Sequence, residues 1–500
     1  MNDWAPDSWR KLPVGQAFEY PDTPAGKKGL PEVLVKLNEL PPLVSATEIE
    51  RLKMSLAAVA RGEAFLLQGG DCAELFDYCT ATKIEHRLSL LLSMSLILIC
   101  KLPSTDDENE LAVMSSPDGS SCKIYFNAGG MKMPVVRVAR MGGQYAKPRS
   151  SATEVVDGVT MPSFRGDIVN GFALSDRAPD PERLLGAYFH SSATANHMRS
   201  LLASGFASLP ASQDESVPWS LPLEHVRSPE LLKSYEEIVR NLSEALEFLS
   251  VVGVGGGGAT KSGLSGGLES AEIFLSHEWI GDRTRAVTGA HVEFFRGIKV
   301  GPTMEPSELV RLLSIVDPNK DSGRVTLISR YGADRIEGLL PSHIKSVQES
   351  GHPVIWCCDP CHGNTKSAPG GIKTRAMHDI VSEISSSIKI HAAQGSRLGG
   401  IHLELTGDIT DGVSVTECTG GSMELGEEEL KMRYESYCDP RLNFEQSLDV
   451  AFLLSSQFQS VQAAKRGRPP VNGHQNILAQ LSASVSRTSS VDSRGVPPTA

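Results

Sequence analysis

Five hundred residues, 40% hydrophobic and 22% charged, are enough chain for one large barrel or two to three ordinary domains, with a sizeable core. The 48 basic against 60 acidic side chains give a net charge of -12, which repels nucleic acid and anionic membrane in bulk. Any anionic substrate must therefore meet a local basic cluster.

Residues 1–22 carry neither the basic-then-apolar pattern of a signal peptide nor the Arg- and Ser-rich look of a transit peptide, so a cytoplasmic location is expected. The nine cysteines then read as reduced thiols, available as metal ligands or core residues. Residues 45–62, SATEIERLKMSLAAVARG, combine a Ser/Thr cap, an early Glu and apolar residues at helical spacing, which predicts a helix. It feeds AFLLQGGDCAE, a short apolar strand that stops at two glycines and delivers Asp71, Cys72 and Glu74 to its end. The run LSLLLSMSLILIC at 88–100 is too short to span a bilayer and predicts a buried helix.

Residues 101–130 are polar and bear Pro and Gly, which predicts an inserted loop. MPVVRVARMGGQYAKPRS at 133–150 repeats the earlier design: a β-branched run, then glycines, then basic residues. A Gly-rich loop is expected at 253–268. From about 290 the chain alternates strands with helices of 10 to 20 residues, which predicts parallel βα units. Lys299, Arg330, His362 and Glu404 fall at successive strand ends, which favours a (β/α)8 barrel over a doubly wound sheet. The expected organisation is an N-terminal extension and helix at 1–62, a catalytic barrel at 63–460 and a disordered tail at 465–500.

Two signals bear on chemistry. Arg140, Lys147, Arg149, Arg283, Arg285, Lys299, Arg330, Lys373 and Arg375 lie beside Gly, Ser or Thr at predicted strand ends or helix starts. Guanidinium forks and backbone N–H groups at such turns bind phosphate dianions, although most surface Lys and Arg are merely solvated. Cys72, His362, Glu404 and Asp439 offer a thiolate, an imidazole and two carboxylates, a set suited to a divalent transition ion. Their spacing alone is weak, because a lone Cys or His is more often a core residue.

Three patterns compete with this reading. CxxCH at 358–362 has the form of a haem attachment site, but a buried strand runs into it and no export signal accompanies it. GVGGGG at 253–258 matches GxGxxG yet opens no βα unit and reads as a linker. KRGRPP at 465–470 has the form of a minor-groove hook, but one copy in an acidic chain reads as a solvated tail, with nucleic acid not expected as a partner.

In chain order, PPLVSATEIERL, FLLQGGDCAE, RMGGQYAKPRS, FRGDIVNG, WIGDRTR, GAHVEFFRG, KVGPTM, DPCHGNT, KTR, HLELTG, VTEC and CDPRLN are similar to motifs of the class II 3-deoxy-D-arabino-heptulosonate 7-phosphate (DAHP) synthases over nearly the whole chain. That resemblance implies a (β/α)8 barrel that condenses phosphoenolpyruvate (PEP) with erythrose 4-phosphate, as a homodimer or homotetramer. It implies a metal, Mn2+ before Co2+, on Cys72, His362, Glu404 and Asp439. The PEP site would fall on Arg140, Lys147, Asp282, Arg283, Lys299 and Arg330, with Lys299, Arg140 and Lys147 the catalytic residues. Erythrose 4-phosphate would meet Arg149, Ser150 and Lys373. The chain departs from the family by the 101–130 insertion, by a helical stretch absent between Glu278 and Trp279, and by a shorter approach to Lys299. Those departures define the alternative: a catalytically impaired homologue with a regulatory or binding role.

Overall fold

The computed structural model describes residues 29–102, 133–146, 152–207 except 157 and 205, 228–251, 273–275, and 296–465 except 370 and 411. Residues 103–130 of the expected 101–130 loop, the expected loop at 253–268, the tail beyond 465, and Lys147, Arg149, Ser150, Asp282, Arg283 and Arg285 lie outside the described residues, while Lys101 still belongs to a helix.

Helix α1, Leu30–Glu39, precedes α2, Ala46–Arg61. Helix α2 starts where the sequence predicts: the Ser45 hydroxyl accepts from Glu48 N at 3.2 Å and the Glu48 carboxylate accepts from Ser45 N at 2.8 Å. It ends at Gly62, which takes a left-handed φ of 86°.

Seven parallel strands follow: β1 Phe65–Gly70, β2 Val135–Arg140, β3 Ile273–Leu275, β4 Arg296–Val300, β5 Val325–Ser329, β6 Ile355–Cys358 and β7 Leu398–Glu404. In the sheet they run β3-β2-β1-β7-β6-β5-β4. The last strand pairs with the first (Gly70 opposite Glu404), and every other described strand lies beside its sequence neighbour. A doubly wound sheet does not put its first and last strands side by side; a (β/α)8 barrel must. The described ring stays open between β3 and β4, and residues 276–295 between them are outside the described residues.

The remaining helices are α3 Ala81–Lys101, α4 Arg183–Ala203, α5 Pro229–Val251, α6 Pro306–Val316, α7 Ile336–Ser350, α8 Met377–Ala393, α9 Glu427–Arg433 and α10 Phe444–Lys465, of which α3, α6, α7, α8 and α10 cover the outside of the ring. The apolar 88–100 run forms most of α3, whose Leu88, Leu91, Leu92 and Leu98 are buried with Leu448, Phe452 and Leu454 of α10 in one cluster. A helix covered on both sides needs an apolar surface all round, which explains that run without a membrane. No helix among the described residues is long and apolar enough to cross a membrane.

Inside the ring, Leu66, Val136, Val138, Ile328, Ile355 and Cys357 pack with Leu56 and Val59 of α2. Helix α2 thus stoppers the apolar end of the barrel. Polar side chains collect at the opposite, C-terminal end.

Candidate active site with a metal-binding group

Alternation along each parallel strand sends every second side chain inward. By that rule and the pairing register, Arg140, Lys299, Arg330, Asp359, His402 and Glu404 come to one end of the barrel interior. Close approach of the backbones depends on two glycines. A Cβ on Gly70, at φ 146°, would lie 2.3 Å from the Arg140 carbonyl oxygen, and a Cβ on Gly363 would lie 2.3 Å from Gly332 N. The second contact brings the Arg330 loop onto the His362 loop, where Arg330 Nη2 donates to the His362 carbonyl at 3.4 Å.

Three of the four expected ligands form one group, and the fourth, Asp439, meets Cys72. Ligand atoms of Cys72, His362 and Glu404 all lie within 4.8 Å of one another. His362 Nε2 is 2.9 Å from Glu404 Oε1, and Cys72 Sγ is 3.4 Å from Asp439 Oδ2. Both Glu404 carboxylate oxygens are buried and accept no aligned hydrogen bond, although Arg375 Nη2 stands 2.6 Å from one of them. A buried carboxylate grouped with a thiol and an imidazole, with a second carboxylate beside that thiol, fits a divalent cation.

Asp359, His402 and Cys438, which the sequence gives no site role, belong here together with Arg375 of the basic group. Asp359, fully buried, accepts from Cys361 N and His362 N through Oδ1, at 3.0 and 3.2 Å. Its Oδ2 accepts from His362 Nδ1 at 2.7 Å and from Lys299 Nζ, joining the expected PEP lysine to the expected metal histidine. His402 Nε2 lies 2.7 Å from Arg140 Nη1; besides the Cys72, His362 and Glu404 group, Cys72, Cys438 and Asp439 form a second ligand-like group and Asp359, His362 and His402 a third. Arg375 Nη1 donates to the Pro440 carbonyl and its Nη2 faces Glu404. Cys438 Sγ lies 3.0 Å from Cys72 Sγ. Asp359 and Cys438 stand in the quoted motifs DPCHGNT and CDPRLN, and Arg375 belonged to the basic group, so each was visible as a residue but not as a partner.

The expected substrate cations described here lie against these ligands. Arg140 donates to the Asp71 carbonyl and stands 3.8 Å from Glu404 Oε1; Lys373 Nζ is 2.9 Å from Asp439 Oδ1. Charge sets the protonation. Burial pushes Glu404 and Asp359 up, but His362 with Arg375 beside one, and His362 with Lys299 beside the other, hold both carboxyls well below the ordinary range. Burial would lower His362, yet Asp359 and Glu404 outweigh it and raise the imidazole to about 9. The Cys72 thiol is pushed well up by its hydrogen bond with Cys438, by burial and by Glu404.

Behind the site, Glu383 of α8 accepts from Tyr331 N at 2.9 Å, Gly332 N at 3.0 Å and Asn364 Nδ2 at 2.7 Å, tying the Arg330 and His362 loops together. Burial pushes its carboxyl up to about 7 from 4.5. A raised folded value means stability present at low pH and lost as pH climbs through about 7. Glu383→Gln turns one acceptor into a donor facing Asn364, which cannot flip because its Oδ1 accepts from Ala333 N at 3.0 Å. The expected cost is about 1–3 kcal/mol in urea unfolding at pH 5, with a smaller loss of stability between pH 5 and 7 than wild type.

The sequence model of the Class-II DAHP synthetase family matches residues 4–104, 125–278 and 279–455. The unmatched stretch lies within the expected 101–130 insertion, and the break at 278/279 coincides with the expected missing helical stretch. A Neurospora crassa protein named phospho-2-dehydro-3-deoxyheptonate aldolase is 42% identical over 92% of this chain and 96% of its own length. A Streptomyces coelicolor protein of the same name is 38% identical over 91% of the chain and 97% of its own. The Mycolicibacterium smegmatis phospho-2-dehydro-3-deoxyheptonate aldolase AroG is 39% identical over 85% and 89%.

Proposed function

The chain belongs to the class II DAHP synthetase family, and from that premise we propose a mechanism in which its own residues make the barrel end a DAHP synthase site. The reaction joins PEP, erythrose 4-phosphate and water to give DAHP and phosphate, the first step of the shikimate pathway towards chorismate and aromatic amino acids. The observation that carries this reading is the meeting of Cys72, His362 and Glu404 within 4.8 Å, with Asp439 beside Cys72. Nothing favours the catalytically impaired alternative.

Cys72, His362, Glu404 and Asp439 hold a divalent metal in this reading. Mn2+ is the ion we assign, with Co2+ a working substitute, since mixed thiolate, imidazole and carboxylate donors accept either. Bound there, such an ion supplies Lewis acidity towards the aldehyde oxygen of erythrose 4-phosphate. Arg283, Lys299 and Arg330 take the PEP phosphate, Arg140 and Lys147 its carboxylate, and Asp282 completes that site. Arg149, Ser150 and Lys373 receive erythrose 4-phosphate. The methylene carbon of PEP attacks the aldehyde, water adds to the cationic carbon left behind, and the adduct expels phosphate. The basic residues hold two mutually repelling anions in register, which is where much of the rate arises. Lys299 is positioned for this task by its ion pair with buried Asp359.

Among the described residues all eight cysteines are thiols, and Cys72 must stay one to bind metal, which supports a reducing, cytoplasmic location. A homodimer or homotetramer is part of the same reading.

Purified protein with PEP, erythrose 4-phosphate and Mn2+ is expected to release phosphate, to stop after chelation, and to resume when Mn2+ is restored. No phosphate with any divalent ion would remove the proposal. Metal must displace protons from His362, which keeps its proton to about pH 9, and from the Cys72 thiol. Metal affinity should therefore rise with pH, by about ten- to a hundredfold per unit between pH 6 and 8, as one or two protons leave. Titration with Co2+ at several pH values measures the slope; a flat profile contradicts the assigned ligands.

A further inference from the structure

Cys72 and Asp439 are 367 residues apart in sequence, yet their side chains meet. Each sits in a short loop, one after β1 and one before α10, and neither loop has regular structure of its own to fix it. What holds the loops in register lies beneath them. Asp71, next to Cys72, accepts from Arg441 Nη1 at 2.5 Å, and Arg441 stands two residues after Asp439. The other side of the same guanidinium grips Glu417: Nε donates at 3.0 Å and Nη2 at 2.7 Å, and Arg441 N donates to it at 2.7 Å. Arg87 of α3 meets the second oxygen of Asp71 at 2.9 Å and Asp408 at 3.3 Å; Arg441 Nη1 lies 3.6 Å from Asp408 and Lys83 Nζ 3.9 Å from it. Three cations balance three carboxylates, and Arg87 stacks 4.1 Å over the Tyr78 ring.

Apart from Lys83, all these charged groups are buried. A buried ion network gives little stability that apolar residues could not supply; what it adds is direction. The planar fork of Arg441 supplies direction: one edge is fixed on Glu417 and one nitrogen on Asp71, so the two loops cannot slide past each other without breaking a bond in a dry interior. We propose that Arg441, clamped between Asp71 and Glu417, is the positioning residue that sets Cys72 against Asp439 and so shapes the metal site. This rests on the DAHP synthase reading for its purpose, but not for its geometry.

The test uses full-length protein. Cys72 and Cys438 thiols, 3.0 Å apart, report loop register without any metal. Diamide oxidises such a pair to a disulfide, each thiol losing a proton and an electron as diamide becomes its hydrazine. Peptide mass spectrometry follows the 72–438 cross-link in metal-free protein, and Co2+ titration follows the site. Arg441→Lys keeps the charge but loses the fork, and Glu417→Gln keeps the shape but loses the charge. In variants that still unfold cooperatively, the cross-linking rate should fall at least tenfold and Co2+ affinity about ten- to a hundredfold, the size expected for support of a ligand. If both variants cross-link and bind Co2+ within twofold of wild type, the inference is overturned, whatever the change in melting temperature. If cross-linking slows while even wild type takes up no Co2+, the clamp stands and the metal assignment above falls instead.

Discussion

Cys72→Ser is expected to lower phosphate release by about a thousandfold at saturating PEP and erythrose 4-phosphate, with the chain still folded. The thiolate is the soft member of the proposed ligand set, and a serine hydroxyl neither ionises at neutral pH nor matches its affinity for a borderline ion. The side chain is only partly buried and makes its contacts with Cys438 and Asp439 at the mouth, so the shorter oxygen leaves the core intact. Two measurements check this. Phosphate release gives the rate, and the thiolate-to-Co2+ absorption band of the Co2+-loaded protein should vanish. A variant that keeps both band and turnover would show that the sulfur is not a ligand.

Asp359→Asn carries the second-largest expected effect, about a hundredfold in kcat with metal affinity lowered about tenfold or more. The carboxylate has no spare capacity: Oδ1 holds two backbone N–H groups, and Oδ2 holds His362 Nδ1 and Lys299 Nζ. An amide keeps the backbone contacts but presents an N–H2 to two donors. The imidazole then moves its proton to Nε2, the nitrogen that faces Glu404 and must offer a lone pair to the metal. Lys299 loses its counter-ion in the same step. Activity, the KM for PEP and Co2+ affinity should all worsen together. A variant with unchanged Co2+ affinity would refute the link between Asp359 and the metal histidine.

Much of the scaffold was legible in the chain because its signals are local. Ser45 and Glu48 mark the start of α2 three residues apart, and the glycines at 69 and 70 mark the end of β1 within one turn of chain. The alternation from 290 onward announces parallel βα units because each strand, buried on both faces, must be apolar along its length. The four metal candidates were legible by residue type and by position at strand or loop ends. That they share one ion came only from the family resemblance, since spacing does not record that β1 lies beside β7.

Partnership was the part that residue patterns could not supply. Asp359 carries no signal of its own in the sequence, and only the fold shows its carboxylate between a lysine 60 residues upstream and a histidine three residues downstream. Arg441 and Asp71, 370 positions apart, are ordinary charges until the chain folds and both are buried against each other. By itself the sequence determined the order of elements, the apolar surfaces that must be covered and the kinds of atom available for chemistry, because period, turn chemistry and functional group are properties of neighbouring residues. The tertiary structure alone decided which charges face each other in the dry interior and which thiol and imidazole share one space with a carboxylate, because such contacts are set by β1 lying beside β7 and fall off within a few ångströms.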